Sequence, residues 1–243
     1  MIIIFTDFGV NGPYMGQMKA SILNVSTTSK IVDLMCDAPT FNVRASSVLL
    51  AALREHMPSQ SCVYLCVVDP GVGSPRKPIC LNCDGVWFVG PDNGLFQKVI
   101  EGCNHVEAFE ILWKPSHLSH TFHGRDLFAP VAAMLDAGIA FDKKTIPVAS
   151  LQNCVEKDRN DTDIIYIDDY GNCWTSLTSN MMDPGGNLKV GNITINHASY
   201  FSDVKVGEAF WYVNSSGLIE ISVNQGNAKL KFDLKIGDHI EKL

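Results

Sequence analysis

Over the first two-thirds of the chain, two kinds of hydrophobic pattern alternate. Apolar runs of strand length recur at residues 2–5, 31–34, where Asp33 interrupts, 62–68 and 86–89. The longest, Cys62-Val63-Tyr64-Leu65-Cys66-Val67-Val68, contains no charged position, as expected of a central parallel strand covered on both faces. Between these runs the apolar residues take helical spacing. Tyr14, Met18, Ile22 and Val25 share one face, and so do Val43, Val48, Leu49, Ala52 and Leu53 within residues 41–56, a pattern stopped by Pro58. Residues 95–100 predict a short helix. Residues 125–137 predict a longer one, with Leu127, Phe128, Val131, Met134 and Leu135 apolar, Pro130 in its early turns and Gly138 just past its end. Such alternation predicts an α/β domain with a largely parallel sheet flanked by helices.

The pattern changes after Leu151. Residues 152–163 are polar and charged, and read as a linker. Beyond them, short strand-like stretches are separated by turn signals: Asp168-Asp169-Tyr170-Gly171-Asn172, Asp183-Pro184-Gly185-Gly186, Asn214-Ser215-Ser216-Gly217 and Asn224-Gln225-Gly226-Asn227. Helical periodicity is absent there. The expectation is a smaller C-terminal all-β barrel domain over residues 160–243, after an α/β catalytic domain over residues 1–155.

Composition narrows the function. With 243 residues, 46% of them hydrophobic, the chain can build real cores. A formal net charge of −7 and a pI near 5.4, with no basic run, argue against a nucleic-acid surface and for a small-molecule substrate. The apolar run at the start breaks at Thr6-Asp7 and is too short for a signal core or a membrane span. Eight scattered cysteines, several inside strand-like runs, read as buried free thiols of a reduced, cytoplasmic protein. Cys80-Leu81-Asn82-Cys83 lacks a second pair at zinc-site spacing.

Candidate chemistry collects where the strands end. In a parallel α/β sheet, ligands bind at the carboxyl ends of the strands. Asp7 follows the first strand, Asp69-Pro70-Gly71-Val72-Gly73 the long apolar one, and Pro91-Asp92-Asn93-Gly94 the fourth. Each alone reads as a turn; three on one edge point to a site. Arg76 and Phe122-His123-Gly124-Arg125-Asp126 supply further ionisable groups beside tight turns. Together, Asp69, Arg76 and His123 form a set able to position and polarise water without a metal. The His117, His120, His123 run has a spacing that does not gather three imidazoles on one helix face, and Pro115, Ser116 and Ser119 suggest a loop, so no metal ligand is assigned. Gly71-Val72-Gly73 is too short for a dinucleotide fingerprint. Thr6-Asp7-Phe8-Gly9 lacks the other elements of a kinase.

Thr6-Asp7-Phe8-Gly9, Val67-Val68-Asp69-Pro70-Gly71-Val72-Gly73, Arg76, Gly90-Pro91-Asp92-Asn93-Gly94, the stretch from Phe122 to Ala132, Asp168-x-Tyr170-Gly171-Asn172 and Asn214-Ser215-Ser216-Gly217-x-x-Glu220 resemble, in order, the S-adenosylmethionine (SAM) hydrolases, also called SAM hydroxide adenosyltransferases. This family includes the fluorinase and chlorinase. The resemblance implies hydrolysis of SAM to adenosine and L-methionine, by attack of water or hydroxide at C5′, with Asp69, Arg76 and His123 catalytic. It places Asp7 on the ribose hydroxyls, with Phe8, Asn93 and Gly124 in the substrate site. It assigns Asp168, Asn172, Ser215, Ser216 and Glu220 of the β domain to the adenine or methionine end. Asn172 and Asn224 suit adenine edges and Trp174 could stack on a ring, although turn asparagines and strand tryptophans commonly serve the fold. It also implies a homotrimer with sites at subunit interfaces, and no cofactor or metal. Cys36 stands where the family usually has histidine. Two alternatives stay open: a SAM-dependent halogenase, disfavoured because Asp69 and Gly124 stand where halogenases carry tyrosine and serine, and a non-catalytic SAM or adenosine binder, which would need neither Asp69 nor Arg76.

Overall fold

The computed structural model describes residues 1–58, 61–153, 162–183 and 185–243. The chain forms two compact units, Met1–Glu156 and Lys157–Leu243. The expected linker falls largely on residues 154–161, and Cys154 and Pro184 also lie outside the described residues.

The first unit is built on β1 (Ile2–Thr6), α1 (Tyr14–Val25), β2 (Ile31–Met35), α2 (Val43–Arg54), β3 (Val63–Val67), β4 (Pro78–Cys83), β5 (Val86–Pro91), α3 (Gln97–Glu101), β6 (Val106–Ile111), α4 (Ala129–Asp136) and β7 (Lys143–Ile146). Its sheet has the order β2-β1-β3-β5-β4-β6-β7. β2, β1, β3 and β5 pair in parallel, β4 runs antiparallel between β5 and β6, and β7 is antiparallel to β6. Five of the seven strands therefore point one way, and the sheet is largely parallel with an antiparallel flank. β1 and β3 are buried along their whole length, which explains why their sequences show no alternation. Ile2, Ile4, Met18, Ile22, Leu65, Phe128 and Val131 belong to one core between the sheet and the helices.

Two expected helices differ in detail. The stretch predicted as one helix from 125 to 137 opens instead with a π turn, Gly124–Phe128, and continues as α4. Pro130 has no N–H to donate to the preceding turn, and the backbone accommodates this by a wider turn, Ala129 N–H bonding Gly124 O. Gly138 does end the helix, with φ +67°. The helix expected at 95–100 begins two residues later.

The second unit contains β8 (Ile164–Ile167), β9 (Cys173–Thr178), β10 (Leu188–Val190), β11 (Ile193–Ile195), β12 (Ala209–Val213), β13 (Leu218–Val223), α5 (Ala228–Phe232) and β14 (Glu241–Lys242). Its strands form two antiparallel sheets, β12-β13-β9-β8 and β11-β10-β14. Single bridges, Asp163 to His239 and His197 to Trp211, join the sheets at both ends, so the strand order closes on itself as a small barrel. Ile164, Leu188, Ile195, Trp211, Ile221 and Ile240 belong to its core. The one-turn helix α5 has no counterpart in the sequence reading. Asn227 caps it by accepting from Leu230 N–H at 2.8 Å.

Candidate active site

The antiparallel flank explains how Arg76 meets Asp69. β3 ends at Val67, and Asp69 lies just beyond its carboxyl end. Two overlapping turns follow, Val72 N–H to Asp69 O at 3.2 Å and Ser74 N–H to Gly71 O at 3.0 Å. The left-handed position falls on Gly73, with φ +81°, not on Gly71. The chain then enters β4, whose first residue, Pro78, pairs with Pro91 at the carboxyl end of β5. Because β4 runs opposite to β5, its start lies on the edge where the parallel strands finish. Arg76 is thus delivered to the edge that carries Asp7, Asp69, Asp92 and Asn93.

The two side chains form a nearly buried ion pair, 5% and 4% exposed. Arg76 Nε donates to Asp69 Oδ1 at 2.8 Å and Nη2 donates to Oδ2, a two-pronged arrangement. The Phe128 ring lies 5.2 Å from the guanidinium carbon and supports it. His123 reaches the pair from the loop after β6, with Nδ1 3.1 Å from Arg76 Nη2. A guanidinium has only donors, so Nδ1 is the acceptor and the ring proton resides on Nε2. Burial, and then the Arg76 charge, hold the His123 pKa below the usual histidine range. His123 is therefore a neutral imidazole whose free nitrogen is a donor.

Asp69 and His123 line a cavity of about 430 Å³, with Phe8, Tyr14, Phe122 and Arg125 also in its wall. Gly124 lines it too, and a side chain there would meet Phe8 and Phe122 at 3.3 Å. Asp126 braces the loop, accepting from Ser119 N–H at 2.9 Å and from Arg125 Nε at 2.6 Å. Asp7 is half-buried beside this cavity's residues and accepts from Phe41 N–H at 3.0 Å. Burial chiefly lifts its carboxyl above the ordinary range, and the Asp69 charge adds to the lift. Asn93 is used differently from expectation. Its amide donates to Val68 O at 2.9 Å and accepts from Leu95 N–H at 3.2 Å, so it fixes the backbone before Asp69.

The second unit has its own cavity, about 810 Å³, lined by Asp168, Asn172, Trp174, Ser215 and Glu220 of the expected set. Asp168 accepts from the N–H groups of Tyr170 and Asn172 and from the Asn172 amide, each within 3.0 Å. Glu220 is 3% exposed and accepts from Tyr212 Oη, Asn214 Nδ2 and Ser222 Oγ at 2.7, 3.0 and 3.1 Å. Its burial raises its pKa. Trp174 packs edge-on against Tyr166, and its indole N–H has no partner among the described residues. Ser216 and Asn224 are not in the wall; the Asn224 amide donates to Val204 O at 2.8 Å.

Several wall residues lie outside the expected set: Tyr14, Gln17 and Arg125 in the first cavity, Tyr170, Phe201, Tyr212 and Asn227 in the second. Tyr14 falls in the apolar pattern of α1 yet is 51% exposed, which the spacing alone did not show. Among the described residues, no three His, Cys, Asp or Glu side chains gather as a metal site. Cys80 and Cys83 lie three apart in β4 and so point to opposite faces of the sheet. Cys36 packs at the margin of the first core, and burial with nearby Asp33 raises its thiol pKa.

Comparison with known proteins agrees with this architecture in both units. Residues 2–145 match the SAM hydroxide adenosyltransferase N-terminal domain, and residues 162–241 its C-terminal domain. A protein of Salinispora tropica named (R)-S-adenosyl-L-methionine hydrolase is 31% identical over 250 residues, covering 97% of this chain and 94% of its own. The protein of that name from Methanocaldococcus jannaschii is 32% identical over 263 residues, covering 99% and 95%. A fluorinase of Actinopolyspora mzabensis is 21% identical, covering 98% and 95%. A crystal structure of an uncharacterized conserved protein from Thermotoga maritima superposes with a TM-score of 0.89 at 32% identity, covering 100% of this chain and 99% of that one. The chain belongs to the SAM hydroxide adenosyltransferase family.

Proposed function

We propose that this protein hydrolyses S-adenosyl-L-methionine to adenosine and L-methionine, by in-line attack of water or hydroxide at C5′. The observation that carries the reading is that Asp69 and His123 share the wall of one cavity, with Arg76 bonded to both of them. The leaving sulfonium departs as a neutral thioether and needs no general acid. The difficulty is the nucleophile, because a carboxylate is too weak a base to ionise water by itself. The site answers with fixed charge. Arg76, locked by Asp69, and the Nε2 proton of His123 stabilise developing hydroxide, while the outer lone pairs of Asp69 accept from and orient the water.

Asp7 takes the ribose hydroxyls, and the cavity of the second unit takes another part of the ligand through Asp168, Asn172 and its aromatic wall. The family resemblance supports a homotrimer in which the first unit of one subunit and the second unit of a neighbour share each site. Light scattering on the purified protein tests that assembly. The reaction requires no cofactor or metal, and we place it in the cytoplasm; no helix among the described residues is long and apolar enough to cross a membrane.

Incubation with SAM in ¹⁸O-labelled water tests the chemistry. Label at the 5′-hydroxyl of adenosine is expected, and unlabelled adenosine or none overturns the proposal. The halogenase alternative predicts 5′-halo-5′-deoxyadenosine when chloride or fluoride is supplied. Asp69 and Gly124 disfavour that outcome.

A further inference from the structure

Three aromatic rings in the first cavity stand in mutual edge contact. Phe8 and Tyr14 have centroids 5.9 Å apart at 59°, Phe8 and Phe122 5.7 Å at 72°, and Tyr14 and Phe122 5.5 Å at 88°. All three line the cavity that holds Asp69 and His123. Rings inclined in this way present electron-rich faces in more than one direction, and such faces attract cations that shed water easily. This wall already holds one cation, since the Arg125 guanidinium carbon lies 5.1 Å from the Phe122 centroid.

The cavity's other charges are paired. Asp69 is matched by Arg76, and Arg125 by Asp126. His123 is neutral by the hydrogen-bond argument above. Arg125 occupies Phe122, so Phe8 and Tyr14 are the rings of this wall that face no cation among the described residues.

We infer that Phe8, Tyr14 and Phe122 form a cation-selective wall that recognises the sulfonium centre and discriminates it from the neutral thioether. The inference rests on the hydrolase reading. In that reaction the sulfur is bonded to the carbon under attack, so it must lie in the cavity that holds the attacking group. Cleavage removes the positive charge, because the C5′–S electron pair stays on sulfur as a lone pair. Attraction to the rings then ends, which favours release of the methionine product and rejection of uncharged adenosyl thioethers.

The test compares the affinity of SAM with that of S-adenosyl-L-homocysteine, its neutral thioether counterpart, by calorimetry at a temperature where turnover is slow. The unaltered protein is expected to prefer the sulfonium. Phe8→Leu and Tyr14→Leu keep apolar bulk and remove a π face, while Phe8→Tyr keeps the face. Each leucine variant is expected to erode the preference by roughly threefold to thirtyfold, the range of a cation–π contact of about 0.7–2 kcal/mol. Phe8→Tyr should retain it. Retained affinity for adenosine shows that the site is folded. Equal weakening of both ligands, or an unchanged ratio in both leucine variants, would overturn the inference while leaving the hydrolase reading intact. Failure of the unaltered protein to bind SAM or adenosine would instead overturn that reading, and the inference with it.

Discussion

Replacing Asp69 by asparagine separates the two roles of the central ion pair. In the native site both prongs of the Arg76 guanidinium end on carboxylate oxygens, and both side chains are about 95% withdrawn from water. Asparagine keeps the shape but substitutes an amide N–H₂ for one acceptor. One prong then faces a donor, and the guanidinium loses its counter-charge in a buried place. Removing one partner of a buried pair costs about 3–5 kcal/mol. For a unit of this size each kcal/mol moves the melting temperature by about 2–4 °C, so Asp69→Asn should melt roughly 6–20 °C lower. Loss of an aligned electrostatic group costs about 10²–10³ in kcat, so adenosine release, followed by chromatography, should nearly stop. The double variant Asp69→Leu, Arg76→Met isolates the chemistry. Exchanging both members of a buried pair for apolar residues is often neutral or stabilising, so thermal stability should return while turnover stays absent. A single variant that melts with the parent and turns over at the parental rate would refute the reasoning. So would a double variant whose activity recovers with its stability.

Other perturbations probe the surroundings. Gly124→Ala places a methyl 3.3 Å from Phe122 Cε2 and Phe8 Cζ and 3.4 Å from Met18 Sδ. Such overpacking typically costs about 1–3 kcal/mol, and steady-state kinetics should show KM rising more than kcat falls, because the rings shift before the Asp69–Arg76 pair does. Protonating His123 would turn its Nδ1 into a donor facing Arg76, so the acid limb of kcat/KM should fall below the ordinary histidine midpoint of about 6.5. The sign for stability is the same: the folded pKa is depressed, so the His123 contribution is present above the unfolded pKa and lost as pH falls through the folded one. A pH profile with its acid midpoint at or above 6.5 contradicts this. Toward alkaline pH the rate should rise as the nucleophile ionises, and a flat profile from neutrality to about pH 9 would count against hydroxide attack. Glu220→Gln keeps one acceptor oxygen for Asn214 Nδ2, but its N–H₂ then faces Tyr212 Oη and Ser222 Oγ, which lose the carboxylate they donate to and must turn to accept. Denaturant titration should register a loss of about 1–3 kcal/mol.

The sequence displayed the buried half of the sheet and concealed its margin. β1 and β3 announced themselves because strands covered on both faces need apolar residues at every position. β6, Val106-Glu107-Ala108-Phe109-Glu110-Ile111, mixes charged and apolar positions, and β7 begins Lys143-Lys144, as suits an exposed edge; neither pattern stands out from loop sequence. α5 spans five residues, too few for periodicity to show. At the site, Asp69, Arg76 and His123 stood out because polar and glycine turns end several strands on one edge of the sheet, where ligands bind. The reading of Asn93 and Asn224 as ligand groups missed their commitments to Val68 O and Val204 O. An amide in a turn has as good a use for a backbone carbonyl as for an adenine edge, and only coordinates distinguish the two. The ring cluster was hidden differently. Tyr14 and Phe122 are 108 positions apart, and apolar spacing along α1 accounts for Tyr14 without a ligand.

The three polar groups depend on the fold to unequal degrees, and this orders what each can tolerate. Asp69 and Arg76 are seven residues apart and share one loop, so little chain entropy is lost in bringing them together. His123 lies 47 residues beyond Arg76, and its position depends on β6 docking beside β4 and on the π turn that Pro130 enforces. The contact between the two loops is close: a side chain at Gly73 would sit 2.7 Å from the His120 carbonyl oxygen, where the backbone also holds φ +81°. That approach leaves room for hydrogen only. The pair is thus a local feature and the imidazole a tertiary one, joined through a glycine with no catalytic chemistry of its own. Geometry at the nucleophile is accordingly set less by the strength of the Asp69–Arg76 bond than by how closely two loops can pass.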